Sequence, residues 1–300
     1  MIFSAAALVF VLGQAGPASA WSSVRPPECS PLDAGRANNV WERAKAPKLR
    51  KYCDLLASGA AKLAGAAGMK NEVVALASDA DKAMPGHAAP LVLKGRALAA
   101  LDKFPDALSA LREAKARDER ALDDPLALFT WARVLAREGK LDEARVAYRE
   151  LLPRSSMLAL SDRSAASLEA GLLAMTSGPA GLDEAIAILR QAVREAQDIA
   201  RMMSELGLAL ALDRFGEADE ASALLEEQVH GDPRPDLASA GARELLFPAV
   251  ASEAHALAAL ALEHADVPAA REAWALYLKD ATSGPWAAHA RAHLARLGGK

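Results

Sequence analysis

The chain has 300 residues, of which 52% are hydrophobic and only 5% aromatic. Its abundant Ala, Leu, Glu, Arg and Asp suit long helices packed through small side chains and leave few β-branched runs for strands. A formal net charge of -4, from 35 basic and 39 acidic residues, argues against binding nucleic acid by phosphate neutralisation.

Residues 1–20 carry an apolar run from Ile2 to Leu12, then the helix breakers Gly13, Gly16 and Pro17, then Ala18-Ser19-Ala20. This is the order of a secretory signal peptide, with cleavage expected before Trp21 and the mature chain periplasmic or secreted. No Lys or Arg precedes the run, as a signal peptide would normally have, and the run is far shorter than the ~20 residues that span a bilayer. No transmembrane helix is expected in the mature chain, because charges at helical spacing interrupt every later apolar stretch.

Residues 21–47 form a Pro-rich leader, expected to cap the array that follows. Cys29 and Cys53 are the only cysteines. In an oxidising compartment they read as one disulfide closing a loop worth on the order of 3 kcal/mol, the alternative being two free thiols. Arg43, Lys45, Lys48, Arg50 and Lys51 make a local basic cluster. It is either a solvated helix face or a contact for anionic lipid or an acidic envelope partner.

From residue 48 to 282 one pattern recurs. An Ala, or Val73 in the first unit, follows each predicted turn: Val73, Ala107, Ala144, Ala185, Ala221 and Ala270, at intervals of 34, 37, 41, 36 and 49. Twelve residues earlier stand Ala61, Gly95, Ala132 and Ala258, while Gly171 and Gly207 stand fourteen before their markers. Four residues later come Ala77, Leu111, Tyr148, Leu189, Leu225 and Trp274. Small residues that let two antiparallel helices touch, with a large residue filling the gap between hairpins, predict stacked helical hairpins. Glu143, Glu184 and Glu220 precede their markers and suit the start of a second helix, where the macrodipole attracts them. Pro125, Pro153, Pro179 and the Gly231 to Pro248 stretch punctuate the units, and a break or hinge is expected at 231–248. Residues 284–300 predict a capping helix with Trp286, Ala290, Leu294 and Leu297 on one side.

This register resembles the tetratricopeptide repeat (TPR) family, as a divergent exported member of bacterial type. Gly68 and Gly139, then Ala80, Ala114 and Ala192, then Pro85 and Pro233 stand at further family positions, although the family's Trp of the first helix is missing from most units. The resemblance implies an all-α fold, a right-handed superhelical solenoid of about six antiparallel helix-turn-helix hairpins. It also implies a concave face lined by the first helix of each hairpin. On that face the positions after the small residue are Arg96, Arg133, Leu172 and Leu208, with Arg137 one turn beyond Arg133. An acidic or C-terminal peptide could meet the arginine forks, and an apolar side chain the leucines. The Asn residues of the family's carboxylate clamps are missing at these positions.

No catalytic motif, cofactor loop or nucleic-acid motif occurs, so no catalytic residue, cofactor or metal is expected. His289 and His293 lie one helical turn apart and could share a metal. No acidic third ligand lies near them in sequence, so ordinary surface histidines are the expectation and a metal-binding or enzymatic role the alternative. His255 and His264 are too far apart to share a face cleanly. The expected role is a non-catalytic scaffold or adaptor that binds another protein or a peptide.

Overall fold

The computed structural model describes residues 26–29, 40–65, 69–229, 251–263 and 265–298. The expected signal peptide, Gly68, the 231–248 stretch with Pro233, and His264 lie outside the described residues, as do the side chains of Arg43 and Lys45.

Among the described residues there are thirteen α-helices and no strand. They follow as hairpins α1/α2 (Val40–Ala64, Lys70–Ala83), α3/α4 (Ala89–Ala99, Phe104–Arg117) and α5/α6 (Pro125–Arg137, Leu141–Leu151). Hairpins α7/α8 (Leu160–Met175, Leu182–Glu195), α9/α10 (Asp198–Phe215, Ala218–Val229) and α11/α12 (Val267–Asp280 following Ala251–Leu262) come next, then α13 (Ala287–Gly298). Local chemistry sets the ends. Asp124 accepts a hydrogen bond from the Leu126 amide at 2.9 Å, with Pro125 opening α5. α9 stops at Gly216, whose φ of 98° is left-handed and favours glycine.

All six marker residues are buried in the second helix of their hairpins, as are the six residues four positions on. The close approach is measurable. A Cβ on Gly95 would stand 2.6 Å from Leu111 Cγ, and one on Gly171 would stand 2.5 Å from Leu189 Cγ. The first hairpin departs from the expected spacing, because Ala61 is exposed and the buried small residue is Gly59, where a Cβ would stand 3.7 Å from the marker Val73 and press harder on α3 of the next hairpin. A Cβ there would meet Leu93 Cδ2 at 2.7 Å. Gly59, Gly171 and Gly207 therefore share the longer spacing to their markers.

The side chains form two cores. One runs from Cys29 to Leu173, the other from Leu168 to Ala290. α7 divides them: Ala166, Ala170 and Leu173 enter the first, Leu168, Leu172 and Met175 the second. Each fully buried Leu contributes about 1.5–3 kcal/mol, so both faces of α7 are anchored.

Both ends carry additional closures. Cys29 and Cys53 form a disulfide, and the Tyr52 hydroxyl donates to Glu28 at 2.6 Å, fixing the short 3-10 turn Pro27–Cys29 on α1. At the other end α11 packs on α9, α12 on α11 and α13 on α12. Trp286 Nε1 donates to the Met175 carbonyl at 2.7 Å and so satisfies a carbonyl at the end of α7.

Candidate functional site

The first helices of four successive hairpins meet at a cleft of about 170 Å³. Leu126 and Phe129 of α5 and Leu63 of α1 supply apolar walls, while Arg96 of α3, Thr130 of α5 and Asp162 of α7 supply polar ones. Arg96 is half-buried; burial lowers its pKa, against which the charges of Asp124 and Asp162 act.

Arg133 also lines the cleft, but its guanidinium is committed. Nε and Nη2 donate to Glu169 at 3.1 and 2.6 Å, the Tyr148 hydroxyl donates to the same carboxylate, and the Arg133 Cζ lies 4.5 Å from the Phe129 ring centroid. Burial alone would lower the Arg133 pKa; the paired Glu169 outweighs it and raises it. A buried carboxylate needs such partners, so the fork expected to grip a ligand serves the core. Arg137 stacks on Phe104, its Cζ 5.2 Å from the ring centroid.

Leu172 and Leu208 are not open groove positions. They are 2% and 5% exposed, because they fall on the sides of α7 and α9 that face the second core. Of the five expected partner-binding residues, the structure brings Arg96 and Arg133 to one cleft and puts both leucines in the interior. The sequence reading missed Phe129, Thr130 and Asp162, which lie off the position beside the small residue.

A second polar constellation lies at the C-terminal end. His289 and His293 of α13 are not ordinary surface histidines, since His293 is buried and both meet Asp213 of α9. Their Nε2 atoms lie 2.7 and 3.1 Å from Asp213 Oδ2 and 3.1 Å from each other. His293 Nδ1 lies 2.5 Å from Glu263 Oε1, and Glu263 also accepts from Trp274 Nε1 at 2.8 Å and from Arg296 at 2.7 Å. Burial favours a neutral His293 ring, but Asp213 and Glu263 together outweigh it and raise its pKa to about 9. Burial likewise opposes ionisation of Asp213, yet its bonds to the two rings hold it well below the usual carboxylate range. Nearby, Arg214 and Glu253 form a wholly buried ion pair beneath Trp286 and Tyr277. His255 faces Asp280 at 3.5 Å.

A third charged feature repeats. Arg112, Arg149 and Arg190, five residues after their markers, reach Glu143, Glu184 and Glu220 of the next hairpin at 3.8, 2.6 and 3.0 Å. The acids that open the second helices thus also bind each hairpin to its predecessor.

The marker alanines, the facing glycines and the large residues between hairpins together decide the packing. The fold is TPR-like. No family model matches the chain, and no curated protein matches it. Among solved structures, it is similar to a Podosopora anserina protein described as a kinesin light chain with nearly identical TPR-like repeats. That match has 21% identity and a TM-score of 0.43, over 53% of this chain and 85% of that one. The structure of Naa15/Naa10 bound to HypK-THB matches at 15% identity and a TM-score of 0.39, over 85% of this chain and 40% of that one. The APC/C hetero-tetramer Cut9-Hcn1 matches at 15% identity and a TM-score of 0.41, over 90% of this chain and 51% of that one. Among the described residues no helix of this TPR-like array is long and apolar enough to cross a membrane.

Proposed function

We propose that this chain is a non-catalytic, exported scaffold that docks an extended peptide against the first helices of its hairpins. The observation that carries the reading is the cleft between α1, α3, α5 and α7, where an apolar floor around Phe129 is edged by Arg96, Thr130 and Asp162. A space of about 170 Å³ takes one or two side chains, and a repeat array offers a continuous face along which the rest of a peptide can lie. The edge carries both charge signs, so the preferred peptide presents an apolar or aromatic anchor flanked by polar residues rather than an acidic tail. The step from repeat fold to binding role is analogy, and the cleft's mixed apolar and polar lining supports it.

The test is selection of displayed random peptides on the full chain, followed by affinity measurement against Ala99→Trp, which fills the cleft from the end of α3. Selected peptides are expected to bind that variant about tenfold or more weakly, at unchanged thermal midpoint. Peptides that bind both proteins alike would place docking elsewhere. Export is checked separately by N-terminal sequencing of the mature protein, expected to begin at Trp21.

A further inference from the structure

We propose that Asp213, His289 and His293 form a divalent metal site, with Zn²⁺ as the ion that fits best, which clamps α13 onto the end of α9. Their donor atoms all lie within 4.8 Å of one another. The three edges of the triangle, 2.7, 3.1 and 3.1 Å, are close to the separation of about 3.3 Å between ligands bound at 2.0–2.1 Å around a tetrahedral ion. Two imidazole nitrogens 3.1 Å apart both face one carboxylate oxygen, so three donor atoms from two helices converge on a single point.

The surroundings fit that centre. Glu263 takes the other nitrogen of His293, and Trp274 and Arg296 hold Glu263 in turn, the carboxylate–histidine arrangement that orients a metal-binding ring and raises its basicity. Two histidines one turn apart on α13 lock the pair's spacing to the helix, and Asp213 comes from a different element, so an ion would bridge two helices far apart in sequence. The side chains of His289 and Asp213 are 22% and 13% exposed while that of His293 is 4% exposed, which leaves access for an ion and a fourth position for water or a partner's side chain. Two imidazoles and a carboxylate favour a first-row ion over Ca²⁺ or Mg²⁺, which prefer all-oxygen sites.

Co²⁺ titration of the purified full chain reads the site directly. Visible d–d bands of four- or five-coordinate Co²⁺, displaced by Zn²⁺, are expected in the wild type and lost in His289→Gln. Glu263→Gln, which replaces the orienting carboxylate with a neutral amide, is expected to weaken binding by about 10- to 100-fold. A complementary measurement needs no variant: Zn²⁺ should protect His289 from diethyl pyrocarbonate, read residue by residue by mass spectrometry. Absence of the Co²⁺ bands in the wild type, equal affinity in His289→Gln, or modification of His289 unchanged by Zn²⁺ would each overturn the site and leave a hydrogen-bonded charge cluster in its place.

Discussion

Gly171 shows how little room the packing leaves at single positions. The Leu189 side chain would crowd an added Cβ from three atoms, the nearest at 2.5 Å. Gly171→Ala is therefore expected to destabilise the protein by about 1–3 kcal/mol through overpacking, although alanine is the better helix former. Chemical denaturation checks this, and Leu189→Val in the same chain should recover part of the loss; a neutral or stabilising Gly171→Ala would contradict the geometry. Residues of this kind were legible because their contacts repeat with the sequence. Gly95, Leu111 and Ala107 announce themselves by spacing alone, and the marker residues all proved buried. Arg133 was not legible in the same way. Its place beside Ala132 is plain from the spacing, but the carboxylate that takes its fork, Glu169, lies 36 residues on, and nothing local marks it as the partner. The same holds for His289, which meets Asp213 across 76 residues. Side-chain partners chosen across hairpins depend on how the helices rotate against each other, which a periodic pattern does not encode.

At the scale of elements, the turn Pro27–Cys29 has few residues with which to hold itself on α1. Its attachment is the disulfide to Cys53, with Tyr52 and His87 contacting Glu28. Reduction, or Cys29→Ser with Cys53→Ser, is expected to cost about 3 kcal/mol of stability for a loop of this length. The thermal midpoint with and without reductant checks the first, and a midpoint unaffected by reductant would show the bond to be absent in solution. Between hairpins, the ladder from Arg112 to Glu220 is exposed, so each rung is worth at most about 1 kcal/mol and its role is to set register more than to add stability. The ladder also has an end. The next arginine position, five after Ala221, is Glu226, and the sixth hairpin is instead joined through α9. Hairpin boundaries were legible from Pro, Gly and the repeated acids. The first-unit contact was misplaced by two residues because the length of the turn, not the identity of the small residue, fixes which one lands on the interface.

Across the whole molecule, every tyrosine is inside. The chain has three, Tyr52, Tyr148 and Tyr277, and all are buried. Burial raises the pKa of each, reinforced by Glu28 at Tyr52, Glu169 at Tyr148 and Glu253 at Tyr277, the last pushed up to about 12. The native state therefore holds these protons more tightly than the unfolded chain, whose tyrosines ionise near pH 10. Their contribution to stability is complete below about pH 10 and is lost as pH rises through the folded values. Tyrosinate absorption is expected to stay silent at pH 10 and then to appear together with loss of helical circular dichroism. A simple titration of even one tyrosine near pH 10 with helicity intact would contradict the burial.

The bond from Trp286 to the Met175 carbonyl joins positions 111 apart and, with His289 and His293 at Asp213, ties α13 to the fourth and fifth hairpins. A purely linear array can fray from either end, one hairpin at a time. Here the last helix cannot dock until the fourth and fifth hairpins exist, and once docked it ties their release to its own. Amides at the C-terminal end of α7 and in α9 should consequently exchange with solvent in a single cooperative step with those of α13.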